Sequence, residues 1–284
     1  METLTDGQVI TLFDQLVSEG VIVYGPHTKH LVDAENYPIE FRICPALMKK
    51  PHTVGASNPT FNHTSKWGPG SDMFIPDLRL IICQINSTHD LALNLFCVDR
   101  PQLLMVTSDS YRRQHEPLDA RDFAAMLHVL RRLEGWYFIF NCGEKGGCSR
   151  VHKHVQGLRG PPHAFEKLVQ TSDGREEVPF KFFLKRFEKG FKAMEVAELL
   201  SAYNDMLARC KETLEVGDGE LCPHNLVLWD DSIVVIPRRA GMWNGASANT
   251  GGMMGSVWVP EVAEVDKWLQ LGPANVLREL GTPS

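Results

Sequence analysis

Apolar positions change their period several times along the chain, and each change predicts an element. Between 6 and 18, Val9, Ile10, Leu12, Phe13 and Leu16 recur at helical spacing behind Thr5 and Asp6, as in a capped amphipathic helix. From 37 to 106 the pattern shifts to short β-rich runs, at Ile39–Ala46, Leu78–Ile85, Leu91–Val98 and Leu103–Thr107. A second helix is predicted over Asp119–Glu134, where Phe123, Met126, Leu127, Leu130 and Leu133 form one stripe and basic residues lie elsewhere. Trp136–Asn141 reads as an aromatic strand and Arg150–Leu158 as another, with a glycine-rich turn between them. Residues 159–192, rich in Pro, charge and Phe, read as a long surface excursion. A helix at about 194–213 precedes a hairpin of Asn225–Trp229 and Ile233–Pro237 turning on Asp230-Asp231-Ser232. A glycine-rich loop (241–255), a short strand at Ser256–Val259 and one or two helices close the chain. Antiparallel strand pairs with helices set apart from them predict an α+β fold, not a doubly wound sheet.

Composition narrows the class without naming a function. The 284 residues contain no internal repeat, low-complexity tract or long linker, so a single domain over 1–284 is expected. With 43% apolar and 23% charged residues, general disorder is excluded. Lys plus Arg (29) against Asp plus Glu (35) leaves a net charge of -6, which argues against a nucleic-acid partner but permits a phosphate-rich small molecule. No run approaches the roughly 18 apolar residues of a membrane span, so no membrane partner is expected. Met1–Gly7 is acidic and polar, unlike a signal or transit peptide. The seven cysteines are odd in number and scattered, which suits reduced thiols in a cytoplasmic protein.

The chemistry concentrates in one stretch, Asn141-Cys142-Gly143-Glu144-Lys145-Gly146-Gly147-Cys148-Ser149-Arg150-Val151-His152-Lys153-His154-Val155-Gln156. On a strand from Val151 to Gln156, alternation puts His152, His154 and Gln156 on one face and Val151, Lys153 and Val155 on the other. The glycines let several backbone N–H groups turn toward one anion, and Ser149 adds a hydroxyl. A neutral imidazole beside that anion is placed to attack phosphorus and form a phosphoramidate, with Gln156 orienting the phosphate. A His pair on a strand is by itself more often surface or satisfied core. The loop is no Walker loop, because Lys145 precedes the glycine pair. Cys142, Cys148, His152 and His154 are acceptable zinc ligands by type, but their spacing fits no common structural site, so no metal is expected.

Taken together, glycine loop, His-Lys-His and Gln resemble the ATP adenylyltransferase (diadenosine tetraphosphate phosphorylase) branch of the histidine-triad superfamily, a branch similar to galactose-1-phosphate uridylyltransferases. The family pattern, roughly Asn-x-Gly-x-x-Ser-Gly-Ala-Ser-Gln-x-His-Lys-His-Leu-Gln, corresponds here to Asn141 through Gln156 in fixed register. Phe41-Arg42-Ile43 through Leu47 and Lys49-Lys50-Pro51 resemble an early Lys-Pro segment. Asn94-Leu95-Phe96 and Leu104-Met105-Val106-Thr107 resemble a second family run. His224-Asn225-Leu226-Val227, Val235-Ile236-Pro237-Arg238 and Asn249-x-x-Gly252-x-x-Gly255 are similar to the closing motifs.

The resemblance implies a histidine-triad-like, mostly antiparallel sheet with flanking helices, in which 1–160 carries the motif and 161–284 completes the site. It implies that His154 accepts AMP, that His152 supports it, and that Gln156 bonds the adenylylated phosphate. Asn141 and the turn Gly147, Cys148, Ser149 and Arg150 are expected to line the nucleotide and phosphate pocket, with Lys50, Asn249, Thr250 and Gly251 contributing from the flanks. The implied reaction is phosphorolysis of a dinucleoside tetraphosphate, without cofactor, by a monomer or homodimer whose partners are nucleotide and phosphate. Departures bear on substrate. The family Lys of Asn-Lys-Phe is Leu95, a basic position after the last glycine motif is Pro260, and the loop Ser and Gln are Gly146 and Arg150. The alternatives are a diverged enzyme with another nucleotide or biosynthetic substrate, and a catalytically weak nucleotide-binding protein.

Overall fold

The computed structural model describes residues 4–49, 66–175, 177–217 and 219–284. Helix α1 (Asp6–Ser18) is capped as its sequence predicts: Thr5 Oγ1 accepts from Gln8 N while the Gln8 side chain accepts from Thr5 N. Strands β1 (Thr28–Ala34), β2 (Tyr37–Ile43), β3 (Ile81–Ile85), β4 (His89–Leu93) and β5 (Leu103–Thr107) follow. Helix α2 (Ala120–Leu130) starts at Asp119, whose carboxylate accepts from the N–H groups of Arg121 and Asp122. Then come β6 (Trp136–Asn141), β7 (His154–Arg159), α3 (Phe165–Ser172), β8 (Phe183–Arg186) and α4 (Val196–Leu214). The chain closes with β9 (His224–Trp229), β10 (Ser232–Pro237), β11 (Met242–Trp243), β12 (Ala246–Ser247), α5 (Thr250–Met253), β13 (Ser256–Val259), α6 (Val262–Leu271) and α7 (Pro273–Leu280).

Eight strands form one sheet in the order β3-β4-β5-β7-β6-β9-β10-β8, and every adjacent pair is antiparallel. The fold is α+β, with helices flanking this large antiparallel sheet. Its central strands are buried on both faces, which explains why Trp136–Asn141 reads as an unbroken apolar run. Phe138, Phe140, Leu226, Leu228, Ile233 and Val235 face one core with residues of α1, α2 and α4. Tyr137, Ile139, Val227, Val234 and Ile236 face another, shared with α3, α6, α7 and the small sheet β1-β2-β13.

Two sequence expectations need correction, and one strand carries no sequence signal. Residues 159–192 are not a surface excursion: they contain α3 and the edge strand β8, and Phe180, Phe187 and Phe191 are buried. Strand β1 was invisible because it is an edge strand with mostly exposed positions, held by its register to β2 from Thr28↔Ile43 to Ala34↔Tyr37. The run expected at Leu91–Val98 ends at Leu93, where Asn94 N turns to the Gln102 carbonyl. Among the described residues no helix is long and apolar enough to cross a membrane.

Candidate active site

The strand carrying the histidines is shorter than its sequence predicts. Strand β7 begins at His154, not Arg150, and lies between β5 and β6 with Val106↔His154, Leu104↔Gln156 and Ile139↔Gln156 in register. Upstream, the N–H groups of Val151 and His152 donate to the two carboxylate oxygens of Asp72, at 2.8 and 3.0 Å. On its other edge the segment pairs with residues 112–114, through the antiparallel bridge Arg113↔His152, so carboxylate and backbone together keep it extended. Gln114 pins His154 from both ends: its Oε1 accepts from His154 N (2.8 Å) and its Nε2 donates to His154 O (3.0 Å). Alternation holds through the segment. His154 and Gln156 line a narrow cleft with Ser149, Arg150, Asn94 and Leu95, whereas Lys153 crosses to the other side of the sheet. There its ammonium donates to Asp122 Oδ2 (2.6 Å) and the Pro117 carbonyl (2.7 Å). Burial disfavours the Asp122 carboxylate, but His89 and Lys153 outweigh it and hold its pKa at about 2.

Hydrogen bonding sets the two histidines apart. His154 Nδ1 lies 2.8 Å from the His152 carbonyl oxygen, which only accepts. The proton is therefore on Nδ1 and the lone pair on Nε2. His152 is fully buried: its Nε2 donates toward Asp109 O (3.1 Å) and Thr107 Oγ1 (3.0 Å), and Ser71 Oγ donates to its Nδ1 (2.8 Å). Burial lowers the His152 pKa, favouring the neutral ring. Its contribution to the cleft is its carbonyl, not its imidazole. Gln156 Oε1 accepts from Gln102 Nε2 (2.8 Å), so the Gln156 NH2 is its remaining donor. Burial also lowers the Arg150 pKa, against the pull of the nearby Asp72 carboxylate.

The glycine turn is held by packing as much as by chirality. Gly147 has φ +83°, and a Cβ there would stand 2.7 Å from Ala248 O and 2.8 Å from Asn249 Cα. The turn therefore lies directly against the loop leading into α5. Asn225 Nδ2 donates to Gly146 O (2.7 Å), and Asn225 Oδ1 accepts from the buried Arg238 guanidinium. Arg238 also donates to Ala248 O (2.8 Å), joining both loops to one polar network.

Several expected pocket residues are held by buried hydrogen bonds or close packing beside this network. Asn141 is buried, its Oδ1 accepting from Thr250 N (2.8 Å) and Thr250 Oγ1 (2.6 Å). Thr250 is fully buried as well. Asn249 caps α5 by accepting from Gly252 N, and Gly251 is pressed against Trp258, whose ring a Cβ would meet at 2.0 Å. Of the 147–150 turn, Ser149 and Arg150 line the His154 cleft, whereas Cys148 faces a larger cleft on the other side. Burial pushes the Cys148 thiol up to about 11. Lys50 lies outside the described residues. Among the described residues no three His, Cys, Asp or Glu side chains converge as a metal site requires.

Sequence reasoning missed Asp72, Gln102 and Gln114, which act through loops with no periodic pattern. It named Asn225 and Arg238 only as parts of a motif; their buried polar character inside apolar runs was the available signal.

Comparisons with known proteins bear on the same regions. Residues 15–169 match the Ap4A phosphorylase N-terminal domain and residues 176–283 the ATP adenylyltransferase C-terminal domain. Diadenosine tetraphosphate phosphorylase 2 of Saccharomyces cerevisiae is 29% identical over 111 residues, 34% of this chain and 33% of that protein. That alignment spans about a third of the curated relative's length. The fold is similar to crystal structures of the yeast Ap4A phosphorylase Apa2. The complex with Ap4A has a TM-score of 0.76 at 19% identity, covering 98% of this chain and 97% of that one. The complex with AMP gives the same values, and a third Apa2 structure has a TM-score of 0.75 at 20% identity, covering 97% of both chains.

Proposed function

The chain belongs to the Ap4A phosphorylase family, and on that premise we propose that it is a nucleotidyltransferase that splits a dinucleoside tetraphosphate by phosphorolysis, giving ATP and ADP from diadenosine tetraphosphate and phosphate. The observation that carries the reading is the His154 tautomer: Nδ1–H is tied to the His152 carbonyl, and Nε2 holds the lone pair in a cleft shared with Ser149, Arg150 and Gln156. Nε2 attacks the α-phosphorus and forms an N–P bond. The bond from that phosphorus to the bridging oxygen breaks, and its electron pair leaves with the nucleoside triphosphate. Inorganic phosphate then attacks the same phosphorus, the N–P bond breaks, and nucleoside diphosphate departs from a neutral imidazole. The ring gains positive charge as the N–P bond forms, so the Nδ1–H bond to the carbonyl strengthens, from about 1 kcal/mol toward the 1.5–3 kcal/mol of a charged donor. Arg150 and Ser149 are assigned to the phosphate oxygens, and the Gln156 NH2 to the adenylyl phosphate.

The halves 1–160 and 161–284 are read as one functional unit. Pairing of β6 with β9 and the Asn141–Thr250 bonds across the two halves support this. Leu95 favours a second reading on the same chemistry. It lines the cleft as an apolar residue where the family resemblance puts a lysine, which suits a nucleotide anhydride with a shorter phosphate chain. A covalent-labelling experiment tests the leading proposal. Nucleotide carrying a labelled α-phosphate should leave an acid-labile, alkali-stable label on the protein that His154→Ala lacks. A labelled His154→Ala protein with normal turnover would end the covalent proposal.

A further inference from the structure

The proposed reaction makes no use of the larger cleft, about 850 Å³, that lies across the 143–150 turn from His154. Its volume falls within the roughly 300–1,000 Å³ of small-molecule sites. One wall is apolar, built by Leu214 at the end of α4 and by Val216, Leu221 and Pro223 on the way into β9. The opposite wall is the outer side of the glycine turn, with Lys145 and Cys148.

Cations dominate the remaining lining. Arg238 is fully buried, and its guanidinium donates only to neutral acceptors: the carbonyls of Leu280, Ala240 and Ala248 and the side chain of Asn225. Those are four bonds from five N–H groups, and no carboxylate is within ion-pair distance among the described residues. A buried charge is ordinarily paired, because desolvating it alone costs several kcal/mol. Lys145 and Arg239, both exposed in the same cleft, have side chains without a hydrogen bond or ion pair among the described residues. Glu144 and Glu220 also line the cleft, and neither forms an ion pair with these cations.

We propose that this cleft is a second ligand site, for an organic phosphate of nucleotide size whose phosphate meets Lys145 and Arg239, with the charge of buried Arg238 behind them, and whose nucleoside lies on the wall of Leu214, Val216, Leu221 and Pro223. The choice of a nucleoside phosphate rests on the phosphorolysis reading, since that reaction releases such molecules. The site itself rests on a cleft of nucleotide size that joins an apolar wall to the exposed cations Lys145 and Arg239, with a buried guanidinium lacking a carboxylate partner behind them. Occupancy bears on the catalytic strand, because Gln114 lines this cleft and holds both backbone groups of His154.

Calorimetric titration with AMP, with Cys148 alkylation by N-ethylmaleimide mapped in parallel, tests the proposal. Wild type is expected to bind two AMP per chain and to protect Cys148. Lys145→Ala/Arg239→Ala, a surface variant, should weaken the second site by about ten-fold or more and lose the protection, while still accepting adenylyl label on His154. Inorganic phosphate alone should bind the second site more weakly than AMP does. A single AMP per chain, or a second site indifferent to the double variant, overturns the proposal. Phosphate binding as tightly as AMP overturns the nucleoside assignment. Loss of the His154 label with two AMP still bound would contradict the catalytic reading instead.

Discussion

Two positions separate His152 from His154, and their ring nitrogens meet different partners. His152 is satisfied on both nitrogens by Ser71, Thr107 and Asp109, whereas His154 has its Nδ1 on the His152 carbonyl and borders a cleft. His154→Ala is expected to abolish turnover with the melting transition unchanged. His152→Ala should instead lower stability by about 2–4 kcal/mol yet retain measurable turnover, read by thermal unfolding and a product assay. Replacing His152 with Gln should recover part of that stability, because its amide can bond some of the same partners. Leu95 gives a third test at this scale. It borders the cleft holding His154, so Leu95→Lys should tighten tetraphosphate binding by about ten-fold. The gain should shrink as salt rises, because it adds a screened ion contact. Unchanged affinity at low salt would remove Leu95 from the account of substrate choice. The residues of this site were only partly legible in the sequence. His154, Gln156, Ser149 and Arg150 share a short segment whose period can be read, but Gln114 and Asp72 reach it from loops 40 and 79 positions away, by hydrogen bonds that no pattern announces.

At the scale of elements, the site depends on two loops pressed together. Gly147→Ala adds a Cβ against Ala248 O at a positive φ, so the turn has to move. The expected cost is about 2 kcal/mol or more, with turnover falling because Ser149 and Arg150 move with it; wild-type stability and rate in this variant would count against the packing argument. A pH effect originates where α4 meets β9. His224 Nδ1 donates to Cys222 O, Tyr203 Oη donates to Nε2, and complete burial lowers the His224 pKa to about 4. A histidine depressed in the folded state binds protons more readily when unfolded. Its stabilising effect is therefore full above pH 6.5 and declines as pH falls toward about 4, by about 3 kcal/mol in total. His152, shifted the same way, adds to the decline. Melting temperatures from pH 7 to 4 should fall less steeply in His224→Asn than in wild type; parallel slopes would contradict this. Elements with a one-sided apolar period, α1 and α2, were legible from sequence. Strand β1 was not, because an exposed edge strand is fixed by its partner β2 and carries little pattern of its own.

For the whole molecule, one continuous sheet joins segments far apart in sequence. Strand β6 pairs with β9, and Thr250 bonds Asn141 and the Phe140 carbonyl across the same junction. The polar network of Asn141, Asn225, Thr250 and Arg238 thus fixes the glycine turn from the opposite half of the chain. The family resemblance implies that Asn141, Asn249, Thr250 and Gly251 contribute to the pocket. The buried bonds by which Asn141 and Thr250 join the two loops come from tertiary packing and carry no sequence pattern. The fold class was readable, since antiparallel hairpins and separate helices leave a local signature, but the strand order and the coverage of both faces were not. The reaction itself is most directly tested by incubating the purified protein with diadenosine tetraphosphate, with and without inorganic phosphate, and resolving the nucleotides formed. The expected result is ATP and ADP in equal amounts, appearing only when phosphate is present. ATP and AMP formed equally well without phosphate, or two ADP, would contradict phosphorolysis.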